Sequence, residues 1–315
     1  TSGTGFNLNL SENNFLGRGQ ALSLNLSRGM ATADAFVSFS EPAFLGRDIT
    51  FRVSGGQASS SGNSASYDTS KLSFSPEVSF PLGEMTRMSV NLSFDETDIS
   101  NVADKNILLN VDEGALTNFS LGYGLSFDTR KTGLNESGGL LVKFDQDFSG
   151  LAGDIDATRT AVFALAEKKV LNDAVSLRII GEGGVYERTN GNSRLTERFF
   201  ARGKLRGFEN NGIGPRDLGA DTDALGGNYF ASVRMETDFP LGLPEEYGIT
   251  GGAFYDMGSV WGLNDTAGVK PVDDEFHLRS AAGVSLFWST PIGPLRFNWS
   301  RAFEKQSYDR VQNFD

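Results

Sequence analysis

Apolar and polar residues alternate one by one along most of this 315-residue chain. Leu22, Leu24 and Leu26 interleave with Ser23, Asn25 and Ser27, and Leu72, Phe74, Val78 and Phe80 with Ser73, Ser75, Glu77 and Ser79. Met88 to Phe94, Phe119 to Phe127, Tyr229 to Met235 and Leu295 to Trp299 repeat the pattern. A period of two is the mark of a strand with one apolar face. Read between turn signals, the pattern predicts strands near 4–12, 19–29, 32–41, 48–59, 67–81, 85–97, 114–128, 137–149, 155–170, 173–187, 221–239, 247–261, 276–291 and 293–305. A fifteenth begins near Val311. Thr160 to Val170, rich in Ala and Leu, is the one stretch with a helical rival. Its flanking strands and the lack of an N-cap pattern favour strand.

The junctions are of two kinds that take turns, as an up-and-down meander requires. One kind is short and sets Pro or Gly beside a large apolar residue: Phe15-Leu16-Gly17-Arg18, Pro42 to Gly46, Pro81-Leu82-Gly83, Pro240 to Pro244 and Pro291 to Pro294. Six of the nine prolines sit there, at strand ends where a missing N–H costs little. The other kind includes long polar loops near 98–113, 188–220 and 262–275. Tight turns at one end and long loops at the other are the asymmetry of an outer-membrane barrel.

Three features separate a membrane barrel from a soluble one. Many strands exceed the ~9–11 residues that cross a bilayer at a tilt. A ring of fourteen or more strands encloses a lumen too wide for side chains to fill, so its inner face is wet and its outer face apolar. The face opposite the Leu/Phe/Val set is mostly Ser, Asn, Gly and Asp, and Phe44, Phe80, Phe239, Trp261 and Trp288 fall near strand ends, where an aromatic girdle lies. A soluble propeller would show a blade-length repeat, and none is visible. The reading is therefore all-β: one transmembrane, up-and-down antiparallel β-barrel domain over 1–315.

Composition removes other classes. With 28 Lys and Arg against 40 Asp and Glu, the net charge of −12 argues against a nucleic-acid partner. The chain has no Cys, which excludes disulfides, thiolate metal sites and thiol nucleophiles. Its one His, His277, reads as a polar loop-end residue, and no motif near it recommends catalysis, so no enzyme, metal or cofactor is expected. The acidic loops carry no Asp-x-Asp-x-Asn-Gly pattern, and solvated surface charge accounts for them better than a bound cation does. No leader pattern opens the chain at Thr1.

A loop longer than thirty residues inside a barrel needs a reason. Arg188 to Ala220 holds Arg198, Arg202, Lys204, Arg206 and Arg216 together with Gly203, Gly207, Gly212, Gly214 and Pro215, with Leu205-Arg206-Gly207-Phe208 at its centre and Ile213-Gly214-Pro215 after it. Apolar residues paired with Arg suit a loop folded into the lumen, with Arg206 bonded bidentately to wall carboxylates. The phase of the following strands names the partners. With Tyr229, Val233 and Met235 outward, Arg234, Glu236 and Asp238 point inward; with Ala253, Tyr255 and Met257 outward, Asp256 points inward.

At these residues the chain resembles the BamA family of outer-membrane protein insertases. Leu205-Arg206-Gly207-Phe208 with Ile213-Gly214-Pro215 is similar to the R-G-[FY] … I-G-P signature of that family's sixth extracellular loop. Ala224 to Asn228, Phe254 to Trp261 with Gly258 and Trp261, Ser289 to Phe297 and Asn14 to Gly19 agree with it in order. The resemblance implies a sixteen-stranded barrel whose seam strands lie largely outside this chain. It further implies preceding POTRA domains, a loop Arg held by the inner-wall acids matching Glu236 and Asp256, and a seam that opens sideways so that a client strand pairs with the exposed edge. Implied partners are unfolded outer-membrane proteins, assembly lipoproteins reached through the POTRA domains, the lipid bilayer and lipopolysaccharide, with location in the bacterial outer membrane. Rival readings are a TamA-like or two-partner-secretion transporter of the same superfamily, a passive porin, and an outer-membrane lipase or protease.

Overall fold

A computed structural model describes residues 5–61, 67–102, 108, 111–130, 138–218, 223–267, 270–290 and 293–315. Fourteen strands follow one another in a single antiparallel sheet whose order is the chain order. They are β1 (Phe6–Phe15), β2 (Gln20–Arg28), β3 (Thr32–Glu41), β4 (Thr50–Ser60), β5 (Asp68–Pro81), β6 (Thr86–Ser100) and β7 (Gly114–Asp128). The series continues with β8 (Gly138–Gly153), β9 (Ala157–Val170), β10 (Val175–Arg188), β11 (Tyr229–Pro240), β12 (Ile249–Trp261), β13 (Arg279–Thr290) and β14 (Gly293–Glu304). Among the described residues β1 and β14 do not pair, so the sheet is an unclosed barrel wall. Thr160 to Val170 is strand.

The register keeps each face consistent around the wall. Leu24 lies opposite Val37, Val37 opposite Gly55, Gly55 opposite Phe74, Phe74 opposite Phe94 and Phe94 opposite Phe119. At the far side Ile179, Met235, Tyr255 and Ala282 continue the row. Phe74, Leu92, Leu121, Phe148, Ile179 and Val284 stand exposed on this outer face, as a lipid-contacting surface requires. The inner face carries a serine row: Ser23, Ser38, Ser54 and Ser75 stand opposite one another, Ser75 meets Ser93 at 3.0 Å, and Ser120 and Ser149 complete it. Aromatic rings gather near the strand ends: Trp261 stacks on Tyr229 at 5.7 Å and meets Phe276 edge-on at 4.9 Å. Phe44 belongs to a short turn between β3 and β4, where it packs on Phe51 at 5.1 Å.

Two local solutions keep polar groups satisfied inside the wall. Pro76 sits within β5, where it cannot donate to β6. The Ser75 hydroxyl donates instead to the carbonyl of Leu92, at 3.1 Å. On the outer face, Tyr123 donates to Gln146 at 2.9 Å and Gln146 donates to Thr160 at 2.9 Å, a polar ladder closed on itself.

Three expectations are corrected. The strand expected at 221–239 begins only at Tyr229. Ala224 instead bridges Arg216, Leu225 is fully buried and Gly226 has φ +67°, so these residues belong to the loop, which runs from 189 to 228. Residues 219–222 of that stretch lie outside the described residues, as do Pro291 and Ile292 of an expected turn. The fifteenth strand near Val311 exists only as isolated bridges, Phe208 to Val311 and Trp299 to Phe314.

Candidate functional site: the lumen loop on its wall

The loop between β10 and β11 folds inward and buries an apolar cluster of Ala201, Leu205, Phe208 and Ile213 against Phe230, Val260 and Ala281 of the wall. Its docking platform is the inward row of β12, where Phe254, Asp256, Gly258 and Val260 alternate with outward residues. Each member of the row meets one part of the loop. The guanidinium of Arg206 lies 3.8 Å from the centre of the Phe254 ring. Its Nε and Nη2 donate to the two oxygens of Asp256 at 2.7 and 2.6 Å, and the Arg206 backbone N–H adds a third bond at 3.0 Å. Gly258 leaves room for Leu205: a Cβ there would stand 3.1 Å from Leu205 Cδ1. Val260 packs against Gly214, whose φ of +101° places its backbone flat on the wall.

Glu236, one strand away on β11, completes the clamp with Oε1 2.7 Å from Arg206 Nη1. Its register partner is Phe254, so Glu236 and Asp256 are diagonal neighbours that one guanidinium can span. Glu236 also pairs with Arg178 at 3.1 Å and Arg296 at 3.3 Å, whereas Arg206 is the one cation paired with Asp256 among the described residues. Gly207 is required beside the clamp: its φ is +89°, and a Cβ would lie 2.7 Å from that of Ala281. Ile213 and Pro215 are buried with it. The structure thus brings together Leu205, Arg206, Gly207, Phe208, Ile213, Gly214, Glu236, Asp256 and Gly258. Trp261 does not join them; it faces outward, in the aromatic belt.

The remaining loop cations have separate partners. Lys204 pairs with Glu182, which Arg234 also holds at 2.5 Å. Arg198 is buried, donates to Ser193 Oγ at 3.1 Å and Leu225 O at 3.2 Å, and stands 3.8 Å from Asp112. Burial raises the Asp112 carboxyl above its ordinary range, and Arg198 with the Leu195 N–H only partly opposes this. Arg202 lies exposed near the ring of Phe200, and Arg216 bonds the carbonyl of Asn211.

Sequence reasoning missed Phe254 and Val260, although they share the phase of Asp256. It also missed Arg279, fully buried at the start of β13, which makes a two-bond pair with Asp309 at 3.0 and 3.2 Å. An Arg in the inward phase of β13 was the available signal. His277 bonds Asp273 at 2.9 Å, and the hydroxyl that shares Asp273 is that of Tyr308, at 3.1 Å. Ser259 Oγ donates to the His277 carbonyl, away from the imidazole.

The profile of the Omp85 superfamily domain matches residues 14–315. The chain belongs to the Omp85 superfamily. An Omp85 barrel is an integral outer-membrane domain, which accords with the exposed apolar face of the wall. The chain is 28% identical over 311 residues to the outer membrane protein assembly factor BamA of Neorickettsia risticii, covering 97% of this chain and 41% of that protein. It is 23% identical over 348 residues to the factor of the same name from Neisseria meningitidis serogroup B, covering 97% and 43%. The chain therefore spans about two-fifths of the length of these curated relatives. Among solved structures, BamA from Haemophilus ducreyi lacking POTRA domains 1–3 superposes with a TM-score of 0.82 at 19% identity, over 98% of this chain and 66% of that one. CdiB from Escherichia coli reaches 0.60 at 16% identity, over 99% and 58%. Both show a shared fold.

Proposed function

We propose that the protein carrying this Omp85 barrel folds and inserts β-barrel proteins into the outer membrane. The observation that carries the reading is the clamp of Arg206 on Glu236 and Asp256, set in a barrel that matches assembly factors over 97% of its length. The clamp fixes a loop inside the lumen by side chains whose phase the wall strands dictate, which a passive pore has no need of. Its chemistry is binding alone. An incoming strand gains affinity from main-chain hydrogen bonds at an exposed seam edge, and no catalytic group, metal or nucleotide takes part. Unfolded outer-membrane proteins are the clients, and lipoproteins acting through POTRA domains, the bilayer and lipopolysaccharide are the accessory partners.

A TamA-like or two-partner-secretion transporter is the second reading, favoured only by the CdiB likeness, whose TM-score is the lower. The test is reconstitution of the full-length protein in lipid vesicles with a small urea-unfolded outer-membrane barrel. Client folding, seen as a heat-modifiable gel shift, is the expected result, and Arg206→Glu abolishes it. Translocation of a soluble passenger without client folding moves the assignment to a transporter. Altered ion conductance in Arg206→Glu with client folding intact moves it to a porin.

A further inference from the structure

The segment after β14 is gripped from two sides. Asp309, held by the buried Arg279, accepts also from the Gln306 N–H at 2.7 Å and so pins the turn to the head of β13. From there Arg310 to Gln312 run between β14 and the loop, and the chain bends at Asn313 before reaching Asp315. On one side β14 pairs with it: Ser300 N–H donates to Asn313 O at 2.9 Å, Asn298 N–H to Asp315 O at 2.8 Å and Asp315 N–H to Asn298 O at 3.1 Å. On the other side stands the loop: Glu209 N–H donates to Arg310 O at 3.0 Å, Arg310 N–H to Gly212 O at 2.9 Å and Gln312 N–H to Gly207 O at 3.0 Å. Successive residues of an extended chain turn their main-chain groups to opposite sides, and here the Arg310 N–H and carbonyl and the Gln312 N–H face the loop, while the Gln312 carbonyl accepts from Ser300 Oγ of β14 at 3.2 Å.

We propose that Gly207–Gly212 serves as an internal edge, an autoinhibitory contact that occupies the Arg310 N–H and carbonyl and the Gln312 N–H while Arg206 holds the loop on the wall. The contact depends on glycine. Gly207 lies flat on Ala281, and a Cβ on Gly212 would stand 2.5 Å from the Arg310 carbonyl. Loop docking and access to this edge then form one equilibrium. A strand that pairs at Arg310–Gln312 must displace the loop, and a loop released from Asp256 frees the edge, the two effects being reciprocal. The inference rests on the strand-pairing reading above for its functional consequence, but the coupling itself does not.

Phe208 and Val311 face each other as the non-hydrogen-bonded pair of this bridge, where side chains approach closest. These 315 residues hold no Cys, so Phe208→Cys with Val311→Cys, placed in the full-length protein, adds one disulfide to the barrel across a close-facing pair. In vesicles given a small urea-unfolded outer-membrane barrel, the oxidised double variant is expected to fold client about tenfold or more slowly than the same protein after reduction. Equal rates before and after reduction overturn the proposal. The second arm uses no client. Hydrogen exchange on Arg206→Lys, which keeps the charge and loses the two-pronged bond, is expected to speed the Gln312 amide about tenfold together with that of Glu209. A faster loop with an unchanged Gln312 amide overturns the coupling. If the unmodified protein folds no client at all, the proposed function fails by itself, and the exchange arm still decides this inference.

Discussion

Removing the Arg206 side chain separates the two acids of the clamp, because they differ in what they keep. Asp256 is fully buried and pairs with no other cation among the described residues, so Arg206→Ala leaves its carboxylate with the Arg206 backbone N–H as its remaining bond there. Breaking a buried pair from one side costs about 3–5 kcal/mol. Glu236 retains Arg178 and Arg296 and contributes little to that loss. At about 1.4 kcal/mol per decade, the ratio of docked to undocked loop falls by more than about a hundredfold. Adding Asp256→Asn to Arg206→Ala removes the stranded charge and is expected to recover most of the cost. For the same reason Arg206→Glu is rescued by Asp256→Arg and not by Glu236→Arg, which would set a third guanidinium between Arg178 and Arg296. Limited proteolysis of the 189–228 loop in the refolded barrel, followed across a urea series, reads docking directly. The reasoning is refuted if Arg206→Ala with Asp256→Asn is as labile as Arg206→Ala alone, or if Glu236→Arg is the better rescuer.

Gly207→Ala, strained at φ +89° and set against Ala281, is expected to expose the loop to protease, whereas Gly191→Ala, as strained at φ +100° but with nothing within 4 Å and outside the docked cluster, leaves the docked part of the loop protected. Ser75→Ala strands the Leu92 carbonyl and costs the barrel about 1–3 kcal/mol in urea unfolding. In a Pro76→Ala background, which restores the missing N–H, the same change is expected to cost close to nothing. Asp273 is raised by its burial but lowered on balance by bonds from His277, the Glu275 N–H and Tyr308. A carboxyl lowered in the folded state stabilises above its ordinary value near 4 and loses that contribution as pH falls through the lowered one, so exchange of residues 273–279, corrected for intrinsic rate, accelerates below about pH 4. Asp273→Asn removes that acid dependence.

Most of the wall was legible because its signal is repeated. Each strand carries the period of two, and a one-residue slip in any of them would turn Leu and Phe into the lumen. Arg206, Glu236 and Asp256 were legible for the same reason, since phase assigns a side to every residue of β11 and β12. The start of β11 was not, because Ala224 and Leu225 look like strand residues, but Ala224 bridges Arg216 and Leu225 is buried with Ile99, Leu195 and Val272. Phe254 was hidden by its type: an inward aromatic looks like a breach of the pattern until a guanidinium is laid over it. The Arg279–Asp309 pair joins residues thirty apart across a turn, and nothing local in the sequence couples them.

The docking is one-sided, and that follows from where the wall carries side chains that can hold a loop. From β2 to β8 the inner face runs through a serine row flanked by charges that the wall answers within itself, as in the pairs Arg52–Glu77 and Lys71–Asp95. From β10 to β14 it carries Arg178, Glu182, Glu236, Asp256, Val260 and Arg296, long or apolar groups that reach the loop or its partners. The centre of the loop therefore rests on the later strands and leaves a cavity of about 720 Å³ against the earlier ones, lined by Lys71, Asp95, Asp145, Asp147 and Arg159 of the wall and by Arg202 and Lys204 of the loop. The strands that hold the loop are also those next to the segment after β14, so its two anchors, Asp256 and the Arg310–Gln312 edge, lie on one side of the lumen. Movement of that segment reaches the centre of the loop through three main-chain bonds, whereas β6 and β7 reach only its outer parts, through Ile99 packed with Leu195 and Leu225 and through the Gly114 carbonyl that Arg194 bonds.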